Sequence, residues 1–346
     1  MCDHPGMTTS VPTPTATLDH AATTDALASG HVLRWWQATA FVEVCGPDAI
    51  TLLDGLCTQA VERIEPATAR LGLFLDAKAK VIAPAVIHRL PDAPWHDPRR
   101  PEEPAVDAPR IALETLPACV EPLRAHLARY RLRARASIEP ADLGSVALVG
   151  DGDHPTGPSA PEDTDGTWVA LVGPGRRTTT FVGAAAACRE QVARFGACAA
   201  DPDALEADRI AAGIAGLHDL LPGRMPAEVG GMESAVALDA GCYLGQEPVA
   251  RLHYRGHANR TLRRVVVVDG GLAPGGDEPE AALEVGRPDA APDARPVGQV
   301  TTWARRGDGT TIALAVLRRE VAADEPLVAQ GGTVHLRAID APDPAA

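Results

Sequence analysis

Gly241-Cys242-Tyr243-Leu244-Gly245-Gln246-Glu247 is the stretch on which the reading of this chain turns. Glycine permits close backbone approach and unusual dihedrals, so a thiol bracketed by Gly241 and Gly245 fits an exposed, tight bend. Gln246 offers both donor and acceptor, and Glu247 accepts a proton or a positive ligand group. Downstream stand Arg251, His253, Arg255, His257, Asn259 and Arg260, a dense set of polar tips. Cationic neighbours favour a thiolate, which makes Cys242 a candidate reactive residue. A cysteine beside glycine is also commonly a small core residue, and composition alone leaves both readings open. His253 and His257 are four apart and would share a helix face, but with Cys242 they make only three ligands, so no metal site is expected.

Outward from this stretch, the chain has 346 residues, enough for two or three packed domains. No run approaches the roughly 20 apolar residues that span a bilayer, so no membrane association is expected. The net charge of −14 repels phosphate backbones overall, and direct nucleic-acid binding is not expected either. The seven cysteines are scattered without a C-x-x-C pair, which argues against a disulfide framework and fits free thiols in a reducing cytoplasm. Residues 1–30, rich in Thr, Ala and Pro, carry no Lys or Arg and read as a disordered tail rather than a targeting signal.

The pattern from His31 mixes strands and helices without regular βαβ alternation, so the fold class expected is α+β. Strands are expected at 40–44, 70–75, 81–89, 111–115, 145–149, 168–172 and 178–182. Helices are expected near 50–56, 117–130, 184–195 and 203–212. Two Pro-rich stretches, 91–109 and 151–166, read as exposed loops, because proline cannot donate to a ladder. After residue 260 the texture becomes short strands and Gly-rich turns, at 262–268, 296–303, 311–317 and 333–339. This reads as a small all-β module, 261–346, appended to an α+β region, 31–260, with a long loop at 269–296.

The quoted segment, continued by Val249-Ala250-Arg251, Arg255-Gly256, Asn259-Arg260 and Leu262, resembles the signature of the YgfZ family. In words that signature is K-G-C-[YF]-x-G-Q-E, then V-A-R, then R-G and an N-R-x-L-like stretch. Weaker similarities extend over most of 35–340: Leu52 to Gln59 with its T-Q ending, and Asp76-Ala77-Lys78-Ala79-Lys80 with a D-x-K-G-[KR] flavour. They continue in Arg209 to Gly213, Met225 to Val229, Pro296 to Thr302 and Ala313 to Arg319. The family is related to the T protein of glycine cleavage, an aminomethyltransferase that lacks the cysteine and the G-Q-E ending.

This resemblance implies a three-part, cloverleaf-like aminomethyltransferase folate-binding fold with two intertwined subdomains and a C-terminal small β-barrel. It implies tetrahydrofolate or a derivative as cofactor, and iron–sulfur enzymes or assembly proteins as partners, including enzymes that modify tRNA. The expected role is a folate-binding accessory in iron–sulfur cluster assembly or repair, without a conventional turnover reaction. An aminomethyltransferase of glycine-cleavage type and a ligand-free scaffold on the same fold are the alternatives. Cys242 is the functional thiol so implied. The cofactor-binding candidates are Gln246, Glu247, Arg251, Arg255, Asn259, Arg260, Thr58 and Gln59. Two positions depart from the family: Ala240 stands where Lys is usual, and Ala211 where many folate-binding relatives carry Glu. Glu206, Asp208 and Glu228 are the carboxylates placed to substitute.

Overall fold

Period-two alternation along the strands separates an apolar face from a polar one, and that separation organises the molecule. The computed structural model describes residues 18–29, 31–35, 39–151, 153–154, 166–195, 199–270, 272, 283–291, 293–329 and 334–339. A nine-stranded sheet comprises β1 (His31–Trp35), β2 (Ala40–Cys45), β3 (Thr68–Leu75), β4 (Val81–Trp95), β5 (Val106–Thr115), β6 (Ser137–Ala141), β7 (Gly144–Gly150), β8 (Gly166–Leu171) and β9 (Thr178–Gly183). Its order is β1-β7-β9-β8-β3-β4-β5-β2-β6. Every pairing is antiparallel except β3 with β8, a parallel seam of Thr68 opposite Ala170 and Ala69 opposite Leu171. The sheet is therefore two antiparallel halves joined by a short seam.

On β4 and β5, Ile87 faces Leu113 across the ladder. With Val44, Ile111 and Phe74 they bury one face against Leu53 of α2 (Ala49–Asp54) and Leu123 and Leu127 of α3 (Val120–Arg131). The alternate residues Val86, His88 and Glu114 point to the opposite face, where α5 (Pro202–Ala211) and the turn after it lie.

Six strands close a barrel in the order β10-β13-β12-β11-β14-β15. They are β10 (Arg260–Asp269), β11 (Leu283–Gly286), β12 (Gly298–Arg305), β13 (Thr311–Arg318), β14 (Pro326–Ala329) and β15 (Val334–Ala338). Ala313, Ala315 and Leu317 of β13 point into the barrel. Its alternate residues Ile312 and Leu314 pack on Ala207 and Ile210 of α5. Both faces of this strand are buried, which is why it reads as an unbroken apolar run. The α+β class and the barrel are thus as expected.

Several local expectations are corrected. The stretch 91–109 is not one loop, because β4 extends to Trp95 and β5 starts at Val106, with Pro94 opposite Asp107. Beyond His88, β4 has no β3 residue opposite it, so Pro91 and Pro94 occupy positions that β3 does not pair. Burial of Trp95 with Cys45 and Ala108 secures the extension, and Trp95 Nε1 donates to Ser137 Oγ at 3.0 Å. Within the expected N-terminal tail, His20–Ser29 forms helix α1, held by Leu27 packed with Val149 and Ala200; residues 1–17 lie outside the described residues. The loop expected at 269–296 contains β11, and β14 was not anticipated; both are four-residue strands with too few alternations to register. The loop at 151–166 lies largely outside the described residues. Among the described residues, no helix is long and apolar enough to cross a membrane.

Candidate functional site

The polar face of the sheet forms the floor of a cavity of about 640 Å³ that straddles the parallel seam. Leu71, Val86, His88 and Glu114 come from one half of the sheet, and Ser145, Ala147, Val149, Leu171 and Thr180 from the other. Alternation places these side chains together: Glu114 lies opposite Val86, and Ala147 opposite Thr180. Residues of α5 and its exit turn, among them Asp208, Arg209, Ala211 and Ile214, form the facing wall.

The polar centre of the floor is a His88–Glu114 pair. His88 Nε2 lies 2.9 Å from Glu114 Oε2, with side chains only 2% and 12% exposed. Thr39 Oγ1 and Ser145 Oγ each donate to Glu114 Oε1 at 2.8 Å. Burial pushes the Glu114 carboxyl up, but the bonds and charge from His88 and the two hydroxyl donors outweigh it and hold the group below its ordinary value. The other ring nitrogen, His88 Nδ1, is buried without a hydrogen-bond partner. A buried polar atom left unsatisfied costs about 1–3 kcal/mol, so this nitrogen is the obvious point for a ligand to engage.

Arg176, Asp208, Glu206 and Arg209 of the wall already have partners. Arg176 grips Asp208 through two parallel contacts of 2.9 Å each. Arg209 binds Glu206 and, at 2.7 Å, the fully buried Asp219. Burial alone would lower the Arg209 pKa, but these two carboxylates raise it above its ordinary value. Asp219 also accepts from Gly216 N at 2.8 Å and from the hydroxyls of Thr301 and Thr302, locking the turn to β12. The carboxylates placed to substitute for a glutamate at Ala211 are therefore engaged elsewhere. Glu228 does not line the cavity, and it pairs with Lys80 at 3.4 Å and Met225 N at 2.9 Å.

The thiol-bearing segment lies outside this cavity. Tyr243 is buried in the core beside α7 (Gln246–Arg255), and Leu244 N donates to Gly55 O at 3.0 Å, which pins the loop. Gly245 has φ +85°, and a Cβ there would meet the Asp76 carbonyl oxygen at 2.7 Å, so only glycine fits. Between these anchors Cys242 is exposed, whereas Cys45, Cys57, Cys119 and Cys188 are buried. Gln246 Nε2 donates back to Gly241 O at 3.1 Å and braces the bend.

None of the eight expected cofactor contacts lines the cavity. Glu247 and Arg251 form an exposed i,i+4 pair at 2.7 Å on α7, and Arg255 is exposed at its last residue. Asn259 and Arg260 line a separate open depression with His257, which lies beyond the helix rather than sharing a face with His253. Thr58 is fully buried, accepting from Leu73 N at 2.9 Å and donating to Ala235 O at 2.6 Å; Gln59 Nε2 donates to Leu71 O at 2.8 Å. These two tie the segment before the signature to β3. The residues missed in sequence, His88 and Glu114, carried one signal: ionisable groups inside apolar strands, at Val86-Ile87-His88 and Ala112-Leu113-Glu114. Among the described residues, no group of three His, Cys, Asp or Glu is placed to hold a metal ion.

Comparison with known proteins gives this geometry a context. No family model matches the chain. Over 300 residues, 81% of this chain and 76% of the relative, it is 28% identical to the mitochondrial iron–sulfur cluster assembly factor IBA57 of Mus musculus. The glycine cleavage system aminomethyltransferase T of Bartonella henselae superposes with a TM-score of 0.65 at 12% identity, covering 95% of this chain and 91% of that one. The second likeness shows the fold. The first shows homology to IBA57 over most of the chain, on the aminomethyltransferase T fold.

Proposed function

We propose that this chain is an accessory protein of iron–sulfur cluster assembly that binds tetrahydrofolate or a derivative in its central cavity. The observation that carries the ligand half is the cavity floor, where His88 Nδ1 is buried and unpartnered in a lining of mixed apolar and polar residues. A volume of about 640 Å³ suits a cofactor-sized molecule, and a few polar groups in an apolar lining are the usual composition of such sites. His88 would donate to or accept from the heterocycle, with Glu114 setting its tautomer through Nε2, and Arg177 at the exposed rim would attract an acidic tail. Bound folate would supply one-carbon chemistry or a structural plug; the protein side orients the ring and excludes water.

Similarity to an iron–sulfur cluster assembly factor supports the cellular half. Cys242, exposed and outside the cavity, is the functional thiol in this reading, acting in the cytoplasm on iron–sulfur enzymes or assembly proteins, tRNA-modifying enzymes included. Tetrahydrofolate should raise the thermal midpoint, because a ligand that binds only the folded state stabilises it, by about 2.7 kcal/mol at a hundred times Kd. No shift at saturating tetrahydrofolate refutes the ligand half. Normal iron–sulfur enzyme activity in cells carrying only Cys242→Ser refutes the role of the thiol. Formation of methylene-tetrahydrofolate from an aminomethyl carrier would establish the transferase alternative instead.

A further inference from the structure

A second site lies where the barrel meets the end of the signature helix. Arg260, the first residue of β10, stands directly opposite Arg318, the last residue of β13. Side chains directly opposed on an antiparallel pair share a face, and like charges there destabilise the sheet. Asn259, His257, Arg319 and Glu320 complete an open depression of about 630 Å³ around them. Arg224 approaches from the turn before Met225, its Nη2 3.4 Å from Gln299 Oε1. Two carboxylates, Glu228 and Glu320, oppose this crowding at Arg260, but burial and the neighbouring arginines outweigh them. Glu320 lies at the rim, 3.4 Å from Arg318, with its own side chain 58% exposed. The Arg260 guanidinium donates to the Val297 carbonyl at 3.4 Å. Burial, then the charges of Arg224 and Arg318, hold it below its ordinary pKa, so the site is electrostatically undersatisfied as it stands.

We propose that this depression is an oxyanion-binding site, in which Arg260 and Arg318 clamp a carboxylate or phosphate group and Asn259 donates a further hydrogen bond. A guanidinium pair across a strand edge presents planar donor forks to one oxyanion, the arrangement suited to carboxylate and phosphate alike. The chain as a whole carries −14, so this basic pocket is a local exception and not part of a general polyanion surface. The site is separate from the central cavity and does not depend on folate binding. It sits past the C-terminal end of α7, whose N-terminal end carries the Cys242 loop. The ten-residue helix, about 15 Å long, runs between the two.

The test is thermal denaturation of the full chain in chloride of matched ionic strength, titrated with inorganic phosphate or with a triglutamate peptide. At least one of the two should raise the midpoint of the wild type. Arg260→Gln should weaken that anion's apparent affinity about tenfold, the loss of one charge-assisted contact. Stronger binding of the peptide assigns the oxyanion to a carboxylate source, and stronger binding of phosphate to a phosphate source. Arg318→Gln serves as the second variant. It should abolish the response while leaving the anion-free midpoint equal to or above wild type, because it removes the like-charge opposition. No response of the wild type to either anion overturns the proposal. So does an undiminished response in both variants, or an anion-free midpoint for Arg318→Gln well below wild type.

Discussion

Gly245→Ala tests the physical account of the thiol loop most directly. The residue sits at φ +85°, a region that costs a non-glycine L-residue roughly 1–2 kcal/mol. Its added Cβ would also lie 2.7 Å from the Asp76 carbonyl oxygen and 3.3 Å from Ala79 Cα, both backbone atoms. That turn has little freedom to retreat, because Asp76 Oδ1 accepts from Lys78 N and Lys80 N at 2.8 Å each. Overpacking against a fixed neighbour adds about 1–3 kcal/mol. The total, about 2–5 kcal/mol, corresponds to a midpoint lowered by roughly 3–7 °C for a chain of this size. Gly241→Ala, four residues away in the same loop, is the internal control: nothing lies within 4 Å of its added methyl. It should change stability by less than about 0.5 kcal/mol. Denaturation followed by circular dichroism reads both. Equal midpoints for the two variants would refute the claim that Gly245 is there to let the loop close on the Asp76 turn.

Other consequences are measurable. Because Glu114 has a depressed pKa in the folded state, its contribution to stability is full above its ordinary value of 4.5 and disappears as pH falls through the lower folded value. Glu114→Gln should therefore lower the midpoint at neutral pH, and the difference from wild type should shrink in acid; a constant difference across pH contradicts this. Asp219→Asn removes the buried partner of Arg209 and loosens the turn from β12, at a cost of about 3–5 kcal/mol. A chemical-denaturation loss under 1 kcal/mol would show that the network contributes little. In the native protein a bulky thiol reagent should modify Cys242 quickly and spare Cys45, Cys57, Cys119 and Cys188, as read by peptide mass spectrometry. Burial pushes the Cys57 thiol up to about 12, which protects it twice over. Ala211→Glu places a carboxylate on the cavity wall and should tighten tetrahydrofolate binding in a thermal-shift titration; weaker binding would move the ligand away from α5.

The sequence alone specified whatever depends on neighbours along the chain. Alternation and helical spacing located most elements, from Ala40–Cys45 to Pro202–Ala211, because backbone periodicity is a local property. The words around Cys242 carried the resemblance, while whether its thiol is exposed or buried stayed open until the fold placed it at the surface. Local rules failed where a distant partner reversed them. Pro94 lies in a strand because Trp95 is buried with Cys45 and Ala108, and the segment at His20–Ser29 is helical in a fold that buries Leu27. Tertiary structure alone decided the sites. His88 and Glu114 are 26 residues apart on neighbouring strands, and they meet Ser145 and Asp208 only because the parallel seam and α5 bring both halves of the sheet to one cavity. Likewise Asn259 and Arg260, adjacent to the signature in sequence, join Arg318 across the barrel ladder rather than Cys242. Strand pairing is a long-range choice, governed by which faces must be buried together, and no spacing within one segment encodes it.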